Sequence, residues 1–281
     1  MSGDVSDKIA AAYVPKATET GCFIVDNSTV YRQHRQVPLI IPEINGDLLG
    51  HCKSRLIANP NCLATQMLMV LNPILKKAGL LWAQVATYQS ISGAGQHALG
   101  EFYQASVHRS VEQSDTTGLS LAFNVVPQIG GLTASGYTSE ELKIIQETRK
   151  ILQAPELDIN PTCVRVAVAH GHSCVLHVKT KTVLNQASMN CLLTQSKGLR
   201  LLSSRVPTPR QDGVNTDLVT VGRVRPHYSN PYIWNLWVVA DNLCKGAATN
   251  MLQTVALLHK HGHIRNPIQC SVVEGTENKQ T

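Results

Sequence analysis

Apolar positions along the chain follow two periods. Short β-branched runs repeat every second residue and longer patterns every three to four, a mixture that predicts an α/β or α+β fold rather than an all-helical one. Cys22-Phe23-Ile24-Val25 reads as a strand ending at Asp26-Asn27-Ser28, residues 37–41 as a second before Pro42, and Arg55-Leu56-Ile57-Ala58 as a third. After Asn59-Pro60-Asn61 the apolar residues Met67, Leu68, Leu71, Ile74 and Leu75 recur at helical spacing until Gly79. Cys62 is thereby placed at a strand-to-helix junction.

Residues 80–90 read as a strand leading into Ser92-Gly93-Ala94-Gly95, with a helix following to about Val111. Thr138-Ser139-Glu140-Glu141 carries a capping box, Thr138 as cap and Glu141 as its reciprocal partner, and opens a helix that ends before Pro155. Val164, Val166 and Val168 alternate along a strand whose other face carries Cys163, Arg165 and Ala167. Residues 234–240 are a strand, and residues 243–260 a closing helix.

The 281 residues are enough for two domains with substantial cores. A charged fraction of only 16% against 43% hydrophobic residues excludes a disordered chain. No apolar run approaches the roughly 20 residues that span a bilayer, and Met1-Ser2-Gly3-Asp4 lacks the opening of a secretory signal. The expectation is a cytoplasmic protein with no membrane and no nucleic-acid partner, because the net charge of +6 is dispersed and has no long basic run. Such an excess suits small anionic ligands such as phosphate or a phosphorylated cofactor. Eight cysteines at 22, 52, 62, 163, 174, 191, 244 and 270 lack the density of a disulfide scaffold, so reduced thiols are expected.

A helix N-terminus favours the thiolate, the form that attacks carbonyl carbon, which makes Cys62 a candidate nucleophile. The competing reading is a buried structural thiol. Glu140 and Lys143 share a helix face, either to hold an ammonium and an anion or as a solvated ion pair. Arg165 on a valine-rich strand needs a carboxylate or phosphate partner, from a ligand or from the protein itself. Cys163, His170, His172 and Cys174 have no paired-ligand spacing, and His259, His261 and His263 fit a solvated helix end, so no metal is expected. The glycine turn at 92–95 lets backbone approach a ligand closely.

Taken together, Val25-Asp26-Asn27-Ser28, Val37-Pro38-Leu39-Ile40-Ile41-Pro42-Glu43-Ile44-Asn45, Asn59-Pro60-Asn61-Cys62, Thr87-Tyr88-Gln89-Ser90-Ile91-Ser92-Gly93-Ala94-Gly95, Phe123-Asn124-Val125-Val126-Pro127-Gln128, Glu140-Glu141-Leu142-Lys143, Cys163-Val164-Arg165-Val166, Gly171-His172-Ser173 and Asn235-Leu236-Trp237-Val238-Val239-Ala240-Asp241-Asn242-Leu243 resemble the aspartate-semialdehyde dehydrogenase family. The resemblance runs from about Ser2 to about Leu258. It implies NADPH-dependent reductive dephosphorylation of β-aspartyl phosphate to aspartate semialdehyde, a step in lysine, threonine and methionine biosynthesis.

Residue by residue, the resemblance makes Cys62 the nucleophile, His172 the acid/base and Gln89 the group that orients the acyl intermediate. Arg165 would bind the substrate α-carboxylate, Glu140 its ammonium, and Lys143 with Arg32 the phosphate. Ser92, Gly93 and Asn242 match positions used around NADP(H). The related N-acetylglutamyl-phosphate reductases are the second enzyme reading, and Glu140 opposes it because an acetylated amine carries no charge. A non-catalytic, oligomerising paralogue is the third.

The resemblance also implies a partial doubly wound nucleotide-binding domain plus a mixed-sheet catalytic and dimerisation domain. The boundaries are 1–61, with helix 243–262 packing back on it, and 62–242, followed by a polar tail at 274–281. A homodimer or homotetramer is implied. Leu63 and Ala64 stand where the family commonly has small hydroxyl residues. The family's opening glycine-rich G-x-x-G-x-x-G turn has no counterpart before Asp26, so the chain is expected to begin inside the nucleotide-binding domain and to bind NADP(H) weakly or not at all by itself.

Overall fold

The computed structural model describes residues 3–108 and 121–264, so the expected polar tail, Cys270 and the far end of the helix to Val111 lie outside it. The chain opens with helix α1 (Gly3–Glu19), strand β1 (Ile24–Asp26), the short helix α2 (Pro42–Asn45) running into a 3-10 turn (Gly46–His51), and strand β2 (Leu56–Ala58). Strands β1 and β2 pair in parallel, Ile24 opposite Leu56. The strand expected over residues 37–41 does not form. It contributes one parallel bridge, Leu39 to Ala58, because Pro38 has no N–H to give to a ladder and only its carbonyl is used, accepting from Ala58 N at 2.9 Å.

The remaining elements are α3 (Cys62–Ala78), β3 (Leu80–Gln89), a 3-10 turn (Ile91–Ala94), α4 (Gln96–His108), β4 (Val125–Val126), α5 (Ser139–Ile151), β5 (Asp158–Val166), β6 (His172–Thr180), α6 (Gln186–Gln195), β7 (Leu199–Leu202), α7 (Pro209–Asp212), β8 (Val219–Pro226), β9 (Ile233–Ala240), a π-helical turn (Cys244–Ala248) and α8 (Thr249–Lys260). Seven strands form a mixed sheet in the order β4-β5-β3-β6-β9-β8-β7. Strand β3 runs parallel to β5 and antiparallel to β6, which is antiparallel to β9. That register sets Gln89 beside Arg165, Tyr88 opposite Ser173, and His172 opposite Ala240. The last residues of β3, β5 and β9 and the first of β6 therefore meet at one end of the sheet.

Leu63, Met67, Leu68, Leu71 and Ile74 of α3 are fully buried in one cluster with Val85, Leu176, Val178, Leu236 and Val238 of the sheet. Each such side chain contributes roughly 1.5–3 kcal/mol, and the packing fixes where the helix begins. The same cluster reaches Ala10, Val14, Leu39 and Leu56, so apolar packing continues across residues 61 and 62. A smaller cluster of Ile40, Leu49 and Ile57 receives Leu258 of α8.

The closing helix expected from residue 243 starts differently. Asp241 accepts from Leu243 N and Cys244 N at 2.8 and 3.0 Å. The next bonds skip five residues, Gly246 N to Asp241 O and Ala248 N to Leu243 O. Regular α-helix begins only at Thr249. Among the described residues no helix is long and apolar enough to cross a membrane.

Candidate active site

Strand β2 ends at Ala58, and Asn61 caps α3 by accepting from Leu63 N and Ala64 N at 2.9 and 3.0 Å. Its side-chain N–H donates to Glu140 Oε1 at 2.8 Å, and its backbone N–H donates to Glu147 Oε2 at 2.6 Å. Two carboxylates of α5 thus hold the turn that carries Cys62, the first residue of α3. The capping box of α5 is present as expected, which fixes Glu140 in that helix's first turn.

Cys62 is half-buried. Burial and then the Glu140 carboxylate push its thiol up to about 12, outweighing Arg32, Arg165 and the Leu63 N–H, which all pull it down. The helix N-terminus favours the thiolate, as expected, but does not prevail: the net shift of the Cys62 pKa is upward. The dipole is present, yet desolvation and a carboxylate are larger, so the thiol keeps its proton near neutral pH.

His172 is completely buried at the start of β6. Its Nδ1 lies 3.0 Å from Ser90 N and 2.9 Å from Ser90 Oγ. A backbone N–H can only donate, so Nδ1 is the acceptor and the ring proton sits on Nε2. That Nε2 is buried without a hydrogen-bond partner. Burial, then the Arg165 charge, lowers the His172 pKa well below its usual range and keeps the ring neutral. A Cβ built on Gly93 would lie 2.9 Å from Nε2 and 3.0 Å from Arg165 Nη1, so this close approach requires glycine.

Arg165 is buried and donates from Nη1 to Ser90 O at 2.7 Å. Strand β5 alternates as expected, but the face carrying Ile159, Cys163 and Arg165 is the more buried one and the valines are only half-covered. Gln89 is buried beside Arg165. Lys143 Nζ stands 3.5 Å from Glu140 Oε2, Lys143 being one-third exposed. Arg32 is more engaged than a free phosphate ligand would be, since it donates to Glu147 Oε1 at 3.0 Å and to Asn27 O at 2.8 Å.

These side chains line one cavity of about 1130 Å³ that brings together Arg32, Cys62, Gln89, Ser92, Gly93, Glu140, Lys143, Arg165 and Asn242. His172 lies behind its wall. Asn242 Oδ1 accepts from Gly171 N, Ser90 Oγ and Ser92 Oγ, each at 3.2 Å, and so ties the ends of β3, β6 and β9 together. For a nicotinamide group the wall is suitable: Gly93 exposes backbone, Leu243 exposes an apolar side chain, and Ser92 with Asn242 supplies polar atoms. Among the described residues no group of His, Cys, Asp and Glu is arranged to hold a metal ion.

Four further residues take part in the site, none of which the sequence alone assigns a role. Glu147 is legible in part, because it lies one turn beyond Lys143 and two beyond Glu140 on the same helix face. Asn61 is the cap implied by the strand end. Ser90 acts through its backbone, and Gly246 through its lack of a side chain.

The fold is that of a semialdehyde dehydrogenase. The family described as "Semialdehyde dehydrogenase, dimerisation domain" matches residues 71–245, and "Semialdehyde dehydrogenase, NAD binding domain" matches residues 4–51. The chain is 39% identical over 256 residues to "Aspartate-semialdehyde dehydrogenase 2" of Vibrio cholerae, covering 89% of this chain and 76% of that protein. It is 36% identical to "Aspartate-semialdehyde dehydrogenase" of Bacillus subtilis, covering 90% and 77%. A crystal structure of aspartate semialdehyde dehydrogenase II from Vibrio cholerae complexed with ASA superposes with a TM-score of 0.87 at 38% identity, covering 90% of this chain and 77% of that one. The chain belongs to the aspartate-semialdehyde dehydrogenase family.

Proposed function

We propose that the protein catalyses the NADPH-dependent reductive dephosphorylation of β-aspartyl phosphate to aspartate semialdehyde, with Cys62 as nucleophile. The observation that carries this reading is the single cavity in which a thiol at a helix N-terminus faces a carboxylate, two guanidinium groups and an ammonium. These are the counterparts of a substrate with a carboxylate, an ammonium and a phosphate. Arg165 offers a planar fork for the α-carboxylate, Glu140 takes the ammonium, and Lys143 with Arg32 faces the phosphate.

Burial is the larger cause of the raised Cys62 pKa and Glu140 the second; an ammonium paired with Glu140 cancels that second contribution, and the thiol becomes easier to ionise. The thiolate attacks the acyl carbon, the carbon–oxygen bond to phosphate breaks, and phosphate leaves from a thioester on Cys62. Ser92, Gly93 and Asn242 would hold NADPH, which when bound would supply the hydride that reduces this thioester. Collapse of the resulting hemithioacetal breaks the carbon–sulfur bond, releasing aldehyde and restoring the Cys62 thiolate. His172 enters neutral, gives its Nε2 proton to the substrate oxygen as the hemithioacetal forms and takes that proton back as the carbon–sulfur bond breaks. Gln89, buried beside Arg165, orients the acyl group.

Oligomerisation through the family's dimerisation domain supports a homodimer or homotetramer, and a biosynthetic reaction drawing on NADPH suits the cytoplasm. The test is the rate of NADPH oxidation with β-aspartyl phosphate against that with N-acetylglutamyl phosphate. Preference for the first is expected. Equal or better use of the acetylated substrate would overturn the role of Glu140 and with it the assigned substrate.

A further inference from the structure

Lys245 is a fully buried lysine that the reaction above does not use. Its Nζ donates to Glu43 Oε2 at 2.6 Å, Gln253 Oε1 at 2.6 Å and Asn250 Oδ1 at 3.1 Å, which occupies all three of its donors. Burying such a pair gives little net stability, since desolvation offsets most of the attraction and an apolar pair of similar volume commonly serves as well. Its place in the fold suggests a different role.

Two paths lead from Lys245 to the thiol. The first is the chain itself: Gly246 follows Lys245 in the π-helical turn, and a Cβ built on it would lie 2.8 Å from Cys62 Cβ. The second is a line of oriented amides. Because Lys245 can only donate, it fixes the oxygen of Asn250 toward itself and turns the amide nitrogen the other way. That nitrogen donates to Ile40 O at 2.9 Å and to Asn59 Oδ1 at 2.8 Å. Asn59 in turn donates to Asn27 Oδ1 at 2.8 Å. Asn59 and Asn61 flank Pro60 in the turn before the nucleophile, so the ammonium sets both the turn that carries Cys62 and the backbone packed on its side chain.

We infer that Lys245, anchored by Glu43, is a positioning residue that holds Cys62 in its attacking place through Asn250–Asn59 and through Gly246. The inference uses the assignment of Cys62 as nucleophile for its consequence in turnover, but its first readout is independent of turnover. The variant that removes both charges together, Lys245→Met with Glu43→Gln, avoids a lone buried ion. Asn250→Leu leaves the ion pair and cuts the link to Asn59.

The measurement is the pH dependence of iodoacetamide labelling at Cys62, read by peptide mapping, in variants whose circular dichroism and unfolding transition show a folded protein. Labelling at Cys62 is expected to become several-fold faster near neutral pH and its profile to move to lower pH, because a loosened turn admits water to the thiol. Turnover is expected to fall about 10²-fold in kcat, with KM changed far less. Cys62 labelling at the wild-type rate and pH in either folded variant would overturn the inference and leave Lys245 a structural ion. Altered labelling in a protein with no dehydrogenase activity of any kind would support the inference while overturning the proposed function.

Discussion

Gly246 lies against Cys62 so closely that a Cβ at position 246 would fall 2.8 Å from Cys62 Cβ and 3.2 Å from its Cα. The contact is with backbone as well as side chain, so it cannot be relieved by a rotamer change. Gly246→Ala is expected to displace the nucleophile or unwind the π-helical turn, and to lower kcat by about 10²-fold with the far-ultraviolet circular dichroism preserved. Steady-state kinetics on the purified variant checks it. Wild-type kcat would mean that the turn yields without cost to the thiol.

The second expectation separates the two effects of Glu140. Its carboxylate raises the Cys62 pKa, so Glu140→Gln should lower it, and alkylation of Cys62 should begin at lower pH than in the wild type. Glutamine keeps an acceptor for the Asn61 side chain, so the turn is retained. The same variant loses the partner of the substrate ammonium and should bind substrate worse, raising KM. Peptide mapping must follow Cys62 itself, because Cys22 and Cys191 are exposed and label independently. A Cys62 profile that stays in place would show that burial alone sets the thiol.

Local features of this site are legible in the sequence, and features made by distant packing are not. Asn59-Pro60-Asn61 stops a strand, and the helical spacing from Met67 onward marks α3, so the position of Cys62 follows from residues within one turn of it. The capping box of α5 is equally local. Glu147 reads as one more polar residue of an amphipathic helix, because Arg32, its partner, lies 115 residues earlier. Lys245 reads as a solvated lysine near the start of α8 until Glu43, Asn250 and Gln253 surround it. The same holds for the Cys62 pKa: a helix N-terminus is visible in sequence, whereas the carboxylate and the burial that outweigh it are properties of the assembled cavity. Strand β6 alternates Cys174, Leu176 and Val178 on its buried face with Val175, His177 and Lys179 on the other, and His172 puts a polar ring on the buried face for the sake of the site.

Stability should respond to pH on both sides of neutrality, with opposite signs. His172 has a lowered pKa in the folded protein, so the unfolded chain takes up its proton first, and stability is lost as pH falls below about 6.5. Cys62, Cys163 and Cys174 have raised values, so the unfolded thiols ionise first, and stability is lost as pH rises above about 8.5. Each group contributes at most about 1.4 kcal/mol per pH unit. Urea unfolding of wild type and His172→Asn across this range checks the acid limb. The two proteins should diverge near neutrality and converge as pH falls, and parallel curves would place the titration elsewhere.

Arg165→Lys isolates geometry from charge. In the wild type, Nη1 is spent on Ser90 O at 2.7 Å, which fixes the guanidinium plane at the end of β5 and directs it past Gly93 into the cavity. A lysine preserves the positive charge and can keep one hydrogen bond, but a single ammonium cannot both hold Ser90 O and grip a carboxylate with two parallel bonds. The variant should therefore fold with a nearly unchanged unfolding transition, while kcat/KM falls by roughly 10²-fold, about 2.7 kcal/mol of transition-state binding. Arg165 also helps to keep His172 neutral, and a lysine ammonium on a longer, freer stem does this less well. The acid limb of the pH–rate profile should accordingly move to higher pH in the variant. Unchanged kcat/KM together with an unmoved acid limb would show that Arg165 serves only to close the strand end, and that the substrate carboxylate is held elsewhere.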